Sequence, residues 1–111
     1  MPEKNTKRTE KVANQIKELA ANFLGRENNR TSLITVTACT TSPDLKKATV
    51  LITVFPDNKE EMALNFIKRN LGDLREFLKK NMPIKTIPFL NVAIDQGEKN
   101  RQKIDELLRN G

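Results

Sequence analysis

Basic side chains at helical spacing near the start of the chain are the first candidates for chemistry. They follow the i, i+3, i+4, i+7 pattern and consist of Lys4, Lys7, Arg8 and Lys11. These positions share one face if a helix extends that far. Such a stripe can neutralise several phosphates of a nucleic acid and release their counterions. Simple solvation is the alternative, and the spacing alone favours it because most surface lysines are solvated.

A second candidate lies where a glycine interrupts a helical pattern. Apolar residues recur across residues 63–78 with the phase of one helix face, yet Gly72 lies among them, where glycine costs about 1 kcal/mol relative to alanine. We predict two helices joined by a tight kink at residues 70–72. Free N–H groups at the start of the second helix would favour phosphate, so we predict contacts from Asn70, the backbone near Gly72 and Arg75. In the alternative, Gly72 only permits close helix packing.

Further basic residues lie at the ends of the predicted elements, at Lys46, Lys47, Lys79, Lys80 and Lys85. The first two follow a predicted turn and would either bind RNA or be solvated. The other three flank the end of the second kinked helix, where cations also complement the helix dipole by a few tenths of a kcal/mol.

The composition argues against the common catalytic and metal sites. The 111 residues include no histidine and one cysteine, Cys39, so the usual zinc ligand sets and most nucleophile–base pairs are not available. Asp44 and Asp95 fall at a predicted turn and a predicted helix start, which favours capping over acid–base chemistry. We predict a protein that is not an enzyme and has no metal or cofactor. A small hydrolase would need a carboxylate cluster that the spacing does not supply.

Length and charge set the class of protein. The chain is long enough for one domain, residues 1–111, with residues 1–6 expected to fray. The net charge is +6, which favours a polyanionic partner. The sequence contains no apolar run long enough for a transmembrane helix, we expect no signal peptide because no apolar segment follows Met1, and the single Cys39 fits a reducing cytosol. We therefore predict a cytoplasmic protein.

Periodicity predicts the order helix, strand, strand, helix–kink–helix, strand, helix. The first helix covers residues 7–24, and an antiparallel hairpin pairs residues 33–41 with 47–55. In the first strand, Ala38 is expected on the covered face and Cys39 on the other. Residues 57–60 are predicted to form a capping box at the start of the kinked helices.

The last strand and helix complete an α+β fold with three strands and helices on one face. Pro88 is expected to open the last strand, where its missing N–H does least harm, and the core contacts of the last helix are expected at Ile104, Leu107 and Leu108. The five phenylalanines are mainly packing residues, and Phe55 and Phe89 are the candidates for stacking on bases from the open sheet face.

Four segments in this order resemble the ribosome-binding factor A family. They are KRTEKV at residues 7–12, TSPDLKKATVLITV at 41–54, LGDLR at 71–75 and IPFL at 87–90, followed by Ile94 and Asp95. The element order is similar to that of a type II KH domain, which clamps single-stranded nucleic acid with a GxxG loop. Here the kink replaces that loop. The family has alanine where this chain has Asn70, a residue that tolerates unusual backbone angles.

The resemblance implies a bacterial assembly factor that binds small-subunit (16S) rRNA near the neck during late maturation. It also implies support for processing of the precursor 5′ end and for growth in the cold, without enzyme activity. With the resemblance, the basic stripe is interpreted as an RNA contact. We expect a monomer with no membrane partner, and an assembly GTPase is one of several release triggers left open. The alternative is a protein-interaction module on a KH-like scaffold without specific rRNA binding.

Overall fold

The computed structural model describes the backbone of residues 2–26 and 33–110 and the side chains of residues 8–25 and 33–109. The elements are α1 (Pro2–Arg26), β1 (Leu33–Thr41), β2 (Lys47–Phe55), a short 3₁₀ helix (Asp57–Lys59), α2 (Glu60–Arg69), α3 (Leu71–Asn81), β3 (Phe89–Ile94) and α4 (Gln96–Asn110). The predicted order and the α+β class are confirmed. The first helix begins at Pro2, earlier than the predicted start at residue 7. No described helix combines the length and apolar character needed to cross a membrane.

The sheet has three strands in the order β1-β2-β3. The hairpin is confirmed, because β1 pairs antiparallel with β2 from Leu33 opposite Phe55 to Thr41 opposite Ala48. The third strand pairs parallel with β2, which requires the helical crossover that α2 and α3 provide.

A bulge in β1 reverses the predicted faces of two residues. Val36 lies opposite Ile52, but Ala38 rather than Thr37 lies opposite Leu51. The extra residue shifts the alternation of side chains by one, so Cys39 packs against the core. The prediction that Ala38 is covered and Cys39 is not was wrong for this reason. Burial raises the pKa of the Cys39 thiol to about 11.

The core lies between one face of the sheet and helices α1, α2 and α3. Ile16, Ile52, Ile67, Leu74 and Leu78 are almost completely buried. Each such side chain contributes roughly 1.5–3 kcal/mol on leaving water. The apolar face that predicted the kinked helices therefore forms part of the core.

Asn70 forms the kink between α2 and α3. Its φ and ψ angles are −102° and 6°, and its side-chain amide donates a hydrogen bond to the Phe66 carbonyl at 2.8 Å. Gly72 is exposed in the first turn of α3, and an added Cβ would meet no atom within 4 Å. The kink is confirmed, but the alternative in which Gly72 permits close helix packing is wrong.

The predicted capping box at residues 57–60 is also wrong. Asp57–Lys59 form the 3₁₀ helix, and neither this helix nor α2 has a side-chain cap. Glu60 instead forms an ion pair with Lys99 of α4, with 2.8 Å between Oε2 and Nζ. This contact holds the start of α4 against the start of α2.

Helix α4 is capped as predicted but is not part of the core. Asp95 accepts hydrogen bonds from the Glu98 N–H at 3.0 Å and from the Thr37 hydroxyl at 2.6 Å. Further along α4, however, Ile104, Leu107 and Leu108 are 56%, 71% and 75% exposed. Their predicted core contacts are wrong because α1, α2 and α3 already cover the apolar face of the sheet.

Candidate nucleic-acid interface

A groove at one end of the molecule collects basic residues from three separate segments. We call it the basic groove. Arg8 comes from α1, Lys46 from the β1–β2 turn and Lys85 from the segment between α3 and β3. The groove has a volume of about 800 Å³. Three of the predicted site residues therefore line one concave surface although they are distant in sequence.

The hairpin turn is held in shape by its own polar groups. Asp44 Oδ1 accepts hydrogen bonds from the Ser42 hydroxyl at 2.6 Å and from the Lys46 N–H at 3.1 Å. The Ser42 hydroxyl and the Lys46 N–H lower the pKa of Asp44, so the carboxylate stays charged at neutral pH. Leu45 has a φ of 59°, a strained angle for a leucine. These contacts confirm the turn role predicted for Asp44 and fix Lys46 at the groove.

Helix α1 supplies the predicted basic stripe over part of its length. Arg8 and Lys11 are exposed, and Arg8 lines the groove. The helix extends through Lys4 and Lys7, so the spacing condition for one face is met. The side chains of Lys4 and Lys7 lie outside the described residues.

The segment that follows α3 forms the third wall. Arg75 is half-buried and donates a hydrogen bond from Nη1 to the Pro88 carbonyl at 3.1 Å. The Phe89 N–H donates to the Lys46 carbonyl at 2.8 Å, which joins this wall to the hairpin turn. Arg75 does not line the groove itself but fixes the position of Pro88, which does.

The other predicted residues lie away from the groove lining. Lys47 is exposed and lies opposite Phe89 in the sheet. Lys79 is 3.7 Å from Glu76, and Lys80 is exposed. Asn70 and Gly72 form a separate feature at the α2–α3 kink. The structure thus divides the predicted residues between the groove and the kinked helices.

Phe55 and Phe89 do not form one stacking platform. Both are exposed, at 73% and 70%, but they lie at opposite ends of the sheet: Phe55 pairs with Leu33 and Phe89 with Lys47. Phe23 and Phe77 pack in or against the core, with ring centroids 5.6 Å apart. The packing role predicted for these two rings is confirmed.

Sequence reasoning missed the apolar floor of the groove. It is formed mainly by Val12, Pro43, Leu45, Pro83, Ile84, Ile87 and Pro88. The available signal was the short segment from Pro83 to Pro88, which is too short for a helix and combines two prolines and two isoleucines with Lys85. Over the described side chains, no group of three or more His, Cys, Asp or Glu residues could hold a metal ion.

Comparisons with known proteins give a consistent result. The family model described as ribosome-binding factor A matches residues 8–108. A ribosome-binding factor A of Paenarthrobacter aurescens is 34% identical over 105 residues, which cover 92% of this chain and 63% of the relative. The chain therefore spans less than two thirds of the length of that relative. The Geobacter metallireducens protein of the same name is 29% identical over 106 residues, which cover 93% and 90% of the two chains.

Two solved structures share the fold. The crystal structure of ribosome-binding factor A from Thermus thermophilus superposes with a TM-score of 0.70 at 23% identity and covers 78% of this chain and 94% of that chain. A solution structure from Thermotoga maritima, described as a putative ribosome binding factor A, gives 0.65 at 21% identity and covers 78% and 85%. At this level of identity the similarity establishes the architecture.

Proposed function

The chain belongs to the ribosome-binding factor A family, and from this premise we propose that it binds small-subunit (16S) rRNA during late assembly of the small ribosomal subunit. In this proposal it acts in the cytoplasm as a monomer, over a single domain of residues 1–111, and supports processing of the precursor 5′ end and growth in the cold. The contacts come from the basic groove, the stripe on α1, the kink and the lysines at the end of α3.

The observation that carries this proposal is the convergence of Arg8, Lys46 and Lys85 on one groove. A chain with a net charge of +6 could scatter its cations over the whole surface. Here three of them come from separate segments and surround a concave surface, so they can neutralise neighbouring phosphates of one RNA segment. Each neutralised phosphate releases counterions, which makes binding strong at low salt and weak at high salt.

The mechanism we propose is binding without bond chemistry. Occupancy of a junction in the immature subunit would stabilise one rRNA arrangement, because a ligand shifts an equilibrium toward the state it binds more tightly. No cofactor is needed for this step. Release would follow when maturation, another factor or an assembly GTPase removes the favoured rRNA arrangement.

Cosedimentation with small subunits, large subunits and mature ribosomes across a salt series tests the proposal. Binding should be selective for small subunits and should weaken as salt rises. The variant Arg8→Ala/Lys46→Ala/Lys85→Ala should flatten the slope of log affinity against log salt by about 2, because each lost phosphate contact contributes roughly 0.7–0.9.

The matched control is Lys68→Ala/Lys103→Ala/Arg109→Ala. These three side chains are exposed and lie outside the groove, and both triple variants lower the net charge by the same amount. Equal loss of binding in the two variants would mean generic charge attraction. Equal binding of the unmodified protein to every ribosomal particle would also contradict the proposal.

A second candidate function is a protein-interaction module. Exposed apolar side chains on α4, at Ile104, Leu107 and Leu108, favour it. This function predicts binding that is insensitive to rRNA and only weakly dependent on salt, so the same salt series separates the two candidates.

A further inference from the structure

We propose that the basic groove accepts one unstacked nucleotide of single-stranded RNA, with its base on the apolar floor and its phosphates on the basic rim. This inference rests on the proposed function and assigns a ligand class to its central site. It separates the groove from the kink, where Gly72 and Asp73 are exposed at the start of α3 and are not part of the groove lining.

The floor of the groove has the chemistry of a base-binding surface. Pro43 comes from the hairpin turn, and Pro83 and Pro88 come from the segment before β3. Pro43 and Pro83 are exposed and present the faces of their rings, whereas the Pro88 ring is buried. The fixed φ angles of the prolines leave little conformational freedom to lose on binding. The volume of about 800 Å³ lies within the range of about 300–1,000 Å³ typical of small-ligand pockets.

The charges around the floor give the nucleotide an orientation. Arg8, Lys46 and Lys85 attract phosphate, whereas the Asp44 carboxylate in the same lining repels it. The hydrogen bonds from the Ser42 hydroxyl and the Lys46 N–H fall on Oδ1, which leaves Oδ2 to accept from an N–H of a base edge. The phosphate is therefore directed to the basic rim and the polar base edge toward Asp44.

The groove is held open before any ligand arrives. The Ser42 hydroxyl fixes Asp44, Arg75 holds the Pro88 carbonyl, and the Phe89 N–H bonds to the Lys46 carbonyl. Walls tied in this way cost little entropy when a ligand binds. A base stacked inside a duplex could not reach the floor, so the ligand is a single-stranded or bulged nucleotide.

The test compares three RNAs for binding to the whole protein by fluorescence anisotropy. They are a short single-stranded oligonucleotide, a copy of the same length in which every base is removed, and a duplex of that sequence. The abasic copy keeps all the phosphates, so it should lose only the contribution of the floor. Stacking on aromatic rings is worth roughly five- to 150-fold in affinity per base. We expect about fivefold here, because prolines and aliphatic carbons form the floor.

Variants locate the effect. Pro43→Ser/Pro83→Ser changes two exposed residues of the floor and should remove the preference for the intact over the abasic RNA, while phosphate binding remains. The control Lys103→Ala/Arg109→Ala lowers the charge near the other end of the molecule and should keep that preference. Amide resonances in a ¹⁵N spectrum should confirm that each variant is folded. Addition of the intact RNA to the unmodified protein should shift the amide resonances of Leu45 and Thr86.

The outcomes separate this inference from the proposed function. Equal affinity for the intact and abasic RNA, or shifts confined to residues outside the groove, would overturn the nucleotide site even if small subunits still bind selectively. Tighter binding of the duplex than of the single strand would overturn it as well. Selective small-subunit binding that survives in the proline variant, together with loss of the base preference, would support both.

Discussion

The two ends of the molecule use charged residues in opposite ways. At the groove end, Arg8, Lys46 and Lys85 face a concave surface, and the polar bonds around them hold the walls in place. At the other end, Lys99 of α4 forms an ion pair with Glu60 at 2.8 Å. Cations that are paired within the protein hold an element in position, whereas cations on a groove are free to take a ligand. Composition alone does not distinguish the two uses.

Apolar residues show the reverse contrast. Leu74 and Leu78 on α3 are buried, whereas Leu107 and Leu108 on α4 are exposed although both helices have an apolar side. The core is closed by three helices, and α4 is attached through its cap and its ion pairs. The following predictions compare the two ends, from the largest expected effect to the smallest.

Leucine truncation should have the largest effect and should separate α3 from α4. Leu74→Ala should lower the free energy of unfolding by about 2–5 kcal/mol, because it leaves a cavity in the core. Leu107→Ala should change it by less than about 0.5 kcal/mol, because the side chain is exposed. Urea unfolding followed by circular dichroism measures both. A large loss for Leu107→Ala would show that α4 packs more closely than the structure indicates.

Removing the Arg75 guanidinium should loosen the wall of the groove at Pro88 while the protein remains folded. Arg75→Ala removes the hydrogen bond to the Pro88 carbonyl, and bonds to a charged donor are worth about 1.5–3 kcal/mol. We expect weaker binding to small subunits and moderate destabilisation. Arg75→Lys is the matched control for charge, since lysine keeps the cation but not the planar donor group. If Arg75→Lys binds as well as the unmodified protein, the charge matters and the position of the wall does not.

The cap of α4 should contribute less. Asp95→Ala removes the acceptor for the Glu98 N–H and for Thr37, and loss of an N-cap costs about 0.5–2 kcal/mol. Hydrogen exchange should speed up in the first turns of α4 and stay unchanged in α3. Asp95→Asn keeps an acceptor and should restore most of the protection. Faster exchange throughout the core in Asp95→Ala would contradict a local role.

Gly72→Val should change the stability only slightly. It tests whether the kink contacts RNA. A Cβ at this position meets open space, and valine is a somewhat better helix former than glycine, so the free energy of unfolding should rise by a few tenths of a kcal/mol. We nevertheless expect weaker small-subunit binding, because the side chain would cover the backbone proposed to contact RNA. Unchanged affinity in the folded variant would remove the kink from the proposed interface.

Acid should affect α4 and the hairpin turn before the core. The Thr37 hydroxyl and the Glu98 N–H lower the pKa of Asp95 in the folded protein, so its contribution is present above the unfolded pKa and is lost as the pH falls through the folded pKa. The pKa of Asp44 is also lowered, mainly by the Ser42 hydroxyl, so its contribution to stability is likewise lost as the pH falls. Amide shifts followed from pH 6 downward should move first at Glu98 and Lys46. Simultaneous movement of core amides would contradict this order.

Much of the fold could be predicted because local periodicity reports local structure. The face shared by Ala63, Ile67, Leu74 and Leu78 predicted both kinked helices and the phase between them, and all four side chains are buried. Alternation in residues 47–55 predicted the covered face of β2, and Asp95 marked the start of α4. Each of these signals depends on neighbours within one or two turns.

The errors arose where a distant contact overrides the local pattern. The bulge at Thr37 moved Cys39 to the core because the extra residue is accommodated by pairing with β2. Glu60 pairs with Lys99 and does not cap α2. The apolar side of α4 stays exposed because α1, α2 and α3 already cover the apolar face of the sheet. None of these partners is near in sequence.

By itself, the sequence determined the order of the elements, the kink, the net charge and the family resemblance, because these follow from residue type and short-range spacing. Only the tertiary structure brought positions 8, 46 and 85 to one groove and gave that groove a floor of prolines. The physical reason is that the convergence depends on how α1 and the crossover pack against the sheet. That packing places the N-terminal part of α1, the hairpin turn and the segment before β3 side by side.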